Sequence, residues 1–271
     1  MKKHLVLMGL AIFSLGLGAC SNNEDTGKQT EASQSETPVK SPAKDLSKEE
    51  VLQKISKVSE QLSSAEITTK IDSKTTMNDQ TTAVNATSTV QYILDPFVMK
   101  TETEDSASGQ KIDTYMDEKN MYMQVPGSDQ WQTVDLTSMG IDIADQMNKV
   151  NSDDVLNELS NFSEDMTVDK KDGTYILTYE GTGDDLKDTV AKIAATSDSN
   201  TDLEAAAEGL TVDTFNYSMV VDAKTFYPVS YQLDMNYQMS SEAMELQMEQ
   251  HQKASFDKIN EIKEIKLPVT E

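Results

Sequence analysis

The strongest constraint on the fold of this chain is a two-residue period of apolar side chains in its last third. Successive side chains of a β-strand point to opposite faces, so this period predicts half-buried strands. The connections between the strands are short, which makes neighbouring strands antiparallel. One face of the predicted sheet is therefore rich in tyrosine and methionine. The alternating residues are Phe215, Tyr217, Met219, Val221, Tyr227, Val229, Tyr231, Leu233, Met235, Tyr237, Met239, Met244, Leu246 and Met248.

The part of the chain before residue 215 contains segments with the apolar spacing of helices and segments with that of strands. Ser47 and Glu50 form a capping box ahead of apolar residues at helical spacing, which predicts an amphipathic helix ending at about Ser64. Further helices are predicted over 139–162, in two pieces, and over 184–193. Strands are predicted by period-two patterns and by turn residues between them. These strands cover 67–71, 90–94, 111–116, 121–125, 131–136 and a hairpin around Asp172-Gly173.

The first 20 residues have the layout of a bacterial lipoprotein signal. Two lysines at 2–3 precede an apolar run over 5–17 that is too short to span a bilayer as a mature helix. The following sequence, Leu17-Gly18-Ala19-Cys20, resembles the lipobox of that protein class. The resemblance implies a lipidated Cys20 at a new N terminus, which would hold the protein at a membrane. An ordinary secretory signal with a chance cysteine, or a buried apolar N terminus, is the alternative.

Composition divides the chain into three parts. Residues 21–44 contain almost no large apolar side chains and predict a disordered spacer. The expected organisation is a signal peptide over 1–19, a lipid anchor and spacer over 20–44, and a single domain over 45–271. The net charge of −24 disfavours binding to nucleic acid. The single cysteine excludes a disulfide within the chain.

The side chains offer little for catalysis. His251 is the one histidine outside the signal segment, and no Gly-x-Ser-x-Gly elbow accompanies it. Neighbouring carboxylates are expected by chance among 47 acidic residues. Asp169-x-x-Asp172-Gly173 lacks the ligand pattern of a calcium loop and indicates a turn. The sequence therefore predicts a protein that is not an enzyme and that uses neither a cofactor nor a metal, with Trp131 as a core anchor of its hairpin.

The chain contains 15 methionines, and methionine is the residue type with a candidate binding role. Its flexible, polarisable side chain suits surfaces that adapt to apolar ligands of variable shape. Ordinary packing of a sheet against helices is the alternative explanation for the same residues. The residues predicted to line a ligand site are Tyr217, Met219, Tyr231, Met235, Tyr237, Met244 and Met248.

Three segments resemble lipoproteins of the DUF6612 type. They are the hairpin from Tyr122 to Trp131, the strand-turn-strand element from Met219 to Pro228, and the closing segment from Phe256 to Pro268. That type is similar to the LolA/LolB and LppX/LprG group of lipid and lipoprotein carriers. The resemblance implies a mainly β (α+β) fold, in which a strongly curved antiparallel sheet forms an open half-barrel and amphipathic helices cover its concave face.

The resulting hypothesis is a monomeric lipoprotein on the extracytoplasmic face of a Gram-positive cell membrane, with palmitate among the acyl groups on Cys20. It would bind a lipid or an acylated molecule between sheet and helices, without catalysis and without nucleic acid. The alternative hypothesis is an envelope interaction or sensing module with a solid core, which binds a protein partner.

Overall fold

The computed structural model describes residues 46–77, 80–124, 128, 130–139, 143, 165–183, 210–240 and 245–269. Within these ranges the chain forms a twelve-residue α-helix, a 3-10 turn and eleven strands, and Ile143 and Asp165 are also in helical conformation. The helix is α1 (Lys48–Ser59) and the 3-10 turn covers Thr137–Met139. The strands are β1 (Ser64–Met77), β2 (Gln80–Leu94), β3 (Phe97–Asp105), β4 (Lys111–Asp117), β5 (Asn120–Gln124), β6 (Trp131–Asp135), β7 (Thr167–Lys171), β8 (Thr174–Gly181), β9 (Leu210–Asp222), β10 (Pro228–Ser240) and β11 (Glu245–Asp257).

The strands form one antiparallel sheet in the order β6-β5-β4-β3-β2-β1-β11-β10-β9-β8-β7. Strands β1 to β6 form one meander and β7 to β11 form another. The two meanders join where β1 pairs with β11, from Glu66 opposite Asp257 to Met77 opposite Leu246. The described sheet is open, because β6 and β7 lie at its opposite edges. The predicted mainly β fold with a single antiparallel sheet is confirmed.

The two faces of this sheet differ sharply in composition. We call the face that carries Ile67, Tyr92, Tyr231 and Phe256 the apolar face, since all four side chains are buried. We call the opposite face, which carries His251, the polar face. One buried cluster runs along the apolar face through both meanders, and Val51 of α1 packs into it with no exposed surface. The hydrophobic core therefore lies on one side of the sheet.

Helix α1 begins at the predicted capping box. The Ser47 Oγ accepts a hydrogen bond from the Glu50 N–H at 3.2 Å, and the Ser47 N–H donates to Glu50 Oε2 at 2.8 Å. The prediction that the helix continues to about Ser64 is wrong. The helix ends at Ser59, and a tight turn buries Leu62 and brings Ser64 into the sheet. The backbone pairing of β1 with β2 and β11 thus takes the place of further helical turns.

Removing the cap should have a local and measurable cost. Ser47→Ala leaves the Glu50 N–H without its side-chain partner, so we expect the free energy of unfolding to fall by about 1 kcal/mol. Chemical denaturation followed by circular dichroism measures this change. Ser56→Ala replaces an exposed serine inside the same helix and should be neutral or slightly stabilising. Equal destabilisation by both substitutions would contradict the capping role.

The predicted helices over 139–162 and 184–193 lie outside the described residues, apart from Met139, which ends the 3-10 turn, and Ile143. Ile143 is helical and belongs to the same buried cluster as Val51 of α1. Cover of the apolar face by further helices stays a prediction. No described helix is both long enough and apolar enough to cross a membrane.

The pattern missed strand β3. This strand places Met99 on the apolar face but continues there with Thr101 and Thr103, so both of its faces are polar over most of its length. A strand with polar side chains on both faces has no two-residue period of hydrophobicity. Its place is determined by backbone pairing with β2 and β4.

The predicted unbroken alternation of β10 is also wrong at its start. The register of β10 against β9 shifts between Pro228 and Ser230, and Val229 is 42% exposed. A bulge adds one residue to a strand and reverses the face to which the preceding side chains point. By contrast, the hairpin predicted at Asp172-Gly173 is confirmed, and both residues have the positive φ angles that such a turn requires.

Candidate functional site

The predicted lining residues of the last three strands lie on the apolar face. Cross-strand pairing places Met219 of β9 opposite Tyr231 of β10. The next pair, Tyr237 of β10 and Met248 of β11, lies further along the same face. Met244 falls outside the described residues. Strand pairing therefore brings together six of the predicted residues, which lie up to 31 positions apart in the sequence. They are Tyr217, Met219, Tyr231, Met235, Tyr237 and Met248.

Direct contacts link these tyrosines and methionines. The rings of Tyr217 and Tyr231 stack at 6.1 Å and 26°, and the Tyr231 ring lies 6.1 Å from that of Phe256. The Tyr237 hydroxyl donates to the Met248 Sδ at 3.1 Å. Aromatic rings give this surface large apolar contact areas, while the thioethers add flexibility. The set forms a continuous apolar surface across β9, β10 and β11.

The tyrosine hydroxyls of this surface are neutral at physiological pH. Burial raises the pKa of Tyr231 to about 12, although a hydrogen bond with Thr69 partly offsets this effect. Burial also raises the pKa of Tyr92 to about 12 and raises the pKa values of Tyr217 and Tyr237. Among the described residues, the buried set contains no Asp, Glu, Lys or His. The described surface thus suits an apolar molecule better than a charged one.

Two glutamines complete this surface, and the sequence reasoning missed them. Gln250 and Gln252 of β11 are each 1% exposed and lie on the apolar face. The Tyr231 hydroxyl donates to the Gln252 Oε1 at 3.4 Å. The Gln252 Nε2 and the Gln250 Oε1 have no hydrogen-bond partner. The signal was present, because both positions continue the alternation from Leu246 and Met248 to Phe256.

The glutamines lie at a boundary between two kinds of surface. On one side they pair with Met235 and Leu233 of β10. On the other side, Gln250 faces Ser73 of β1 and Gln252 faces the buried Ile71. Near them β1 and β2 also present Thr69, Ala86 and Ser88 toward the same face. The glutamines therefore lie between a tyrosine- and methionine-rich part of the apolar face and a part where small or hydroxylated side chains accompany Ile71.

His251 lies on the polar face, with its side chain 51% exposed. Its Nδ1 is 2.7 Å from Asp234 Oδ1 and its Nε2 is 3.4 Å from Glu249 Oε1. The hydrogen bond with Asp234 raises the pKa of His251, and the more distant Glu249 adds to this effect. The histidine is thus separated by the sheet from the tyrosine and methionine surface.

Asp234→Asn should lower the pKa of His251 toward its ordinary value of about 6.5, because the principal acceptor loses its charge. NMR titration of the imidazole resonances measures this shift. Since the folded pKa is raised, the stabilisation by this pair is present below the ordinary pKa and is lost as the pH rises through the raised value. Glu249→Gln should produce a smaller decrease, and a larger effect of Glu249→Gln would contradict the assignment.

Trp131 is not the core anchor that the sequence predicted. It lies at the edge strand β6 and is partly exposed, and its ring meets that of Tyr115 edge-to-face at 5.3 Å. The Lys100 Nζ lies 5.7 Å from the centre of the Tyr115 ring. These residues share the polar face, because Tyr115 pairs directly with Lys100 on β3. The Trp131 ring is thus partly shielded by Tyr115 on the polar face, without entering the core.

The described part of the sheet also contains a groove of about 250 Å³. Its walls include Ser218, Gln232 and Lys253 of the polar face, together with Tyr231 and Ala254. Its mixed walls contrast with the mostly apolar lining of typical small-molecule pockets. Among the described residues, no group of His, Cys, Asp and Glu side chains is placed to hold a metal ion.

Comparisons with known proteins define the family. DUF6612, a family of unknown function, matches residues 47–270. No curated protein matches the sequence. Among solved structures, lipoprotein LppX of Mycobacterium tuberculosis is 10% identical, with a TM-score of 0.41 over 80% of this chain and 96% of that chain. LprF of Mycobacterium bovis is 11% identical, with a TM-score of 0.47 over 82% and 96%.

A LolA superfamily protein of Nitrosomonas europaea is 10% identical, with a TM-score of 0.26 over 83% of this chain and 96% of that chain. At these values the likeness to solved structures is too distant to assign a ligand or a partner. The family match is of a different kind, since it spans the chain from the N-cap of α1 to one residue before the C-terminal end. This protein belongs to the DUF6612 family.

Proposed function

We propose that this protein is an extracytoplasmic lipoprotein that binds a hydrophobic ligand, a lipid or an acylated molecule, on the apolar face of its sheet. Residues 1–19 would act as the signal peptide, an acylated Cys20 as the membrane anchor, residues 20–44 as the tether and residues 45–271 as the binding domain. The proposal includes no catalytic step. Its main support is the continuous uncharged surface that tyrosines and methionines form on β9, β10 and β11.

The composition of this surface matches the chemistry of acyl chains. Transfer of apolar area from water contributes about 25 cal/mol per Å², so a long acyl chain can bind without any charged contact. Thioether side chains change rotamer at low cost and can follow chains of different length. Two acyl groups on Cys20 would give stable anchoring, whereas one holds a protein only marginally.

Native mass spectrometry of the full-length chain carrying Cys20→Ser, purified from its host, tests the ligand proposal. We expect a non-covalent added mass that organic extraction releases as lipid. The double variant Met219→Ser/Met235→Ser places two hydroxyls in the apolar surface and should lower lipid occupancy several-fold. The matched control Val229→Ser changes an exposed residue on the same sheet and should leave occupancy unchanged. Folded protein with neither co-purified lipid nor Nile red uptake would refute the proposal.

A second candidate function is binding of a protein partner through the polar face near β6. The observation that favours it is the partly exposed Trp131 ring beside Tyr115, because tryptophan and tyrosine are enriched at the centres of interfaces. Trp131→Ala tests whether this surface takes part in lipid binding. It should leave lipid occupancy unchanged if the apolar face binds the ligand.

A further inference from the structure

We propose that the ligand carries an uncharged hydroxyl or amide group next to its acyl chain, and that Gln250 and Gln252 recognise this group. This inference rests on the proposed function and specifies its ligand class. The glutamines are alternate residues of one strand, so they lie about 7 Å apart on the same face. A single small polar group between them can reach both amides.

Both amides are buried and incompletely satisfied. Each glutamine is 1% exposed, and the Gln250 Oε1 and Gln252 Nε2 lack hydrogen-bond partners. Buried side-chain polar atoms in native proteins are nearly always paired, because an unpaired one loses its bonds to water without replacement. Two such atoms, two residues apart and on one face, indicate a position where a partner from outside the chain belongs.

The unpaired atoms define the chemistry of that partner. The Gln250 Oε1 requires a donor, and the Gln252 Nε2 requires an acceptor. A hydroxyl or an amide supplies both, whereas an ether, an ester or a carboxylate supplies only acceptors. A carboxylate would also be buried as a charge, and the described buried residues include no basic side chain to neutralise it. The net charge of −24 further disfavours an anionic ligand.

The surrounding residues orient the rest of the molecule. Gln250 pairs with Met235 and Gln252 with Leu233, so β10 continues the apolar surface directly from the amides. On the other side Gln250 faces Ser73 of β1, whereas Gln252 faces the buried Ile71. The acyl chain therefore extends from the glutamines over β10 and β9, while the polar group lies between the two amides on the side of Ser73.

Displacement of Nile red by four probes of equal chain length tests this inference in the full-length chain carrying Cys20→Ser. The probes are dodecanol, dodecanamide, methyl dodecyl ether and dodecanoate. We expect dodecanol and dodecanamide to bind about tenfold or more tightly than the other two. In Gln250→Met/Gln252→Met, which nearly preserves side-chain volume, this preference should disappear while the affinity for the ether is kept.

Gln247→Met is the matched control, because Gln247 is exposed on the same strand. It should keep the full preference. Equal affinity of the unsubstituted protein for all four probes would overturn the inference and assign the two amide atoms to internal water, yet leave the proposed function intact. Tightest binding of dodecanoate would overturn the uncharged class. Absence of binding by every probe would refute the proposed function together with the inference.

Discussion

Gln250→Glu should lower the free energy of unfolding by about 4 kcal/mol at about pH 8 and by little at about pH 4. The substitution preserves shape but places a carboxyl group where the native side chain is 1% exposed and one amide atom is unpaired. Burial disfavours the ionised form, so the pKa of the new carboxyl in the folded protein should rise by about three units above its unfolded value of about 4.3.

The sign of the pH dependence follows from this raised pKa. Between the unfolded and folded pKa values, the folded protein retains a proton that the unfolded chain has lost. Stability relative to the unsubstituted protein therefore falls as the pH rises through this window and levels off above the folded pKa. Urea denaturation at a series of pH values measures the difference. Gln247→Glu, on the exposed side of the same strand, should show almost no such dependence.

A pH-independent loss in Gln250→Glu would point to steric damage and not to a buried carboxyl. Equal behaviour of the two glutamate variants would mean that position 250 is hydrated in solution. Either result would remove the basis for a recognition role of the glutamine pair. The measurement therefore examines the candidate site without requiring any ligand.

Phe256→Ala should lower the free energy of unfolding by about 3–5 kcal/mol. Phe256 is 8% exposed, lies opposite Ile67 on the apolar face, and contacts the Tyr231 ring at 6.1 Å. Its side chain thus packs across the boundary between the two meanders, where β11 meets β1. Truncation removes apolar burial and leaves a cavity that the rigid sheet cannot close.

Chemical denaturation of Phe256→Ala measures this loss at a pH where the unsubstituted protein is most stable. Val229→Ala is the matched control, because Val229 is 42% exposed beside a bulge and should cost less than about 0.5 kcal/mol. A loss of comparable size in both variants would contradict the packing described for the β1–β11 pair. A normal midpoint with a lower denaturant slope would instead indicate a change in cooperativity.

The sequence predicts a strand correctly where one of its faces is apolar. The prediction failed where both faces are polar. The tyrosines and methionines of β9 and β10 reveal their strands because they alternate with polar residues. Strand β3 presents threonines on its apolar-face positions, so its sequence lacks that contrast. The helix end at Ser59 was likewise unpredictable, since Ser64 pairs with Ile93 of β2 and its carbonyl accepts a hydrogen bond from the distant Asn260 N–H.

The candidate site was predictable only in part. The alternation placed Tyr231 and Met235 on one face, and cross-strand pairing confirmed their common side. The same alternation placed Gln250 on that face, but a glutamine at an apolar position interrupts the hydrophobic pattern. Its importance comes from burial to 1% exposure and from the missing partner of its Oε1, which are properties of the folded protein.

By itself the sequence determined the local features of the fold. These are the capping box at Ser47, the turn at Asp172-Gly173 and the face to which most side chains of the last strands point. These depend on interactions within a few residues or on the two-residue period. Only the tertiary structure decided that β1 lies beside β11, that a bulge turns Val229 outward and that one amide atom of each buried glutamine lacks a partner. The physical reason is that a two-residue period specifies a face but no neighbour, because backbone hydrogen bonds are the same for every strand pair.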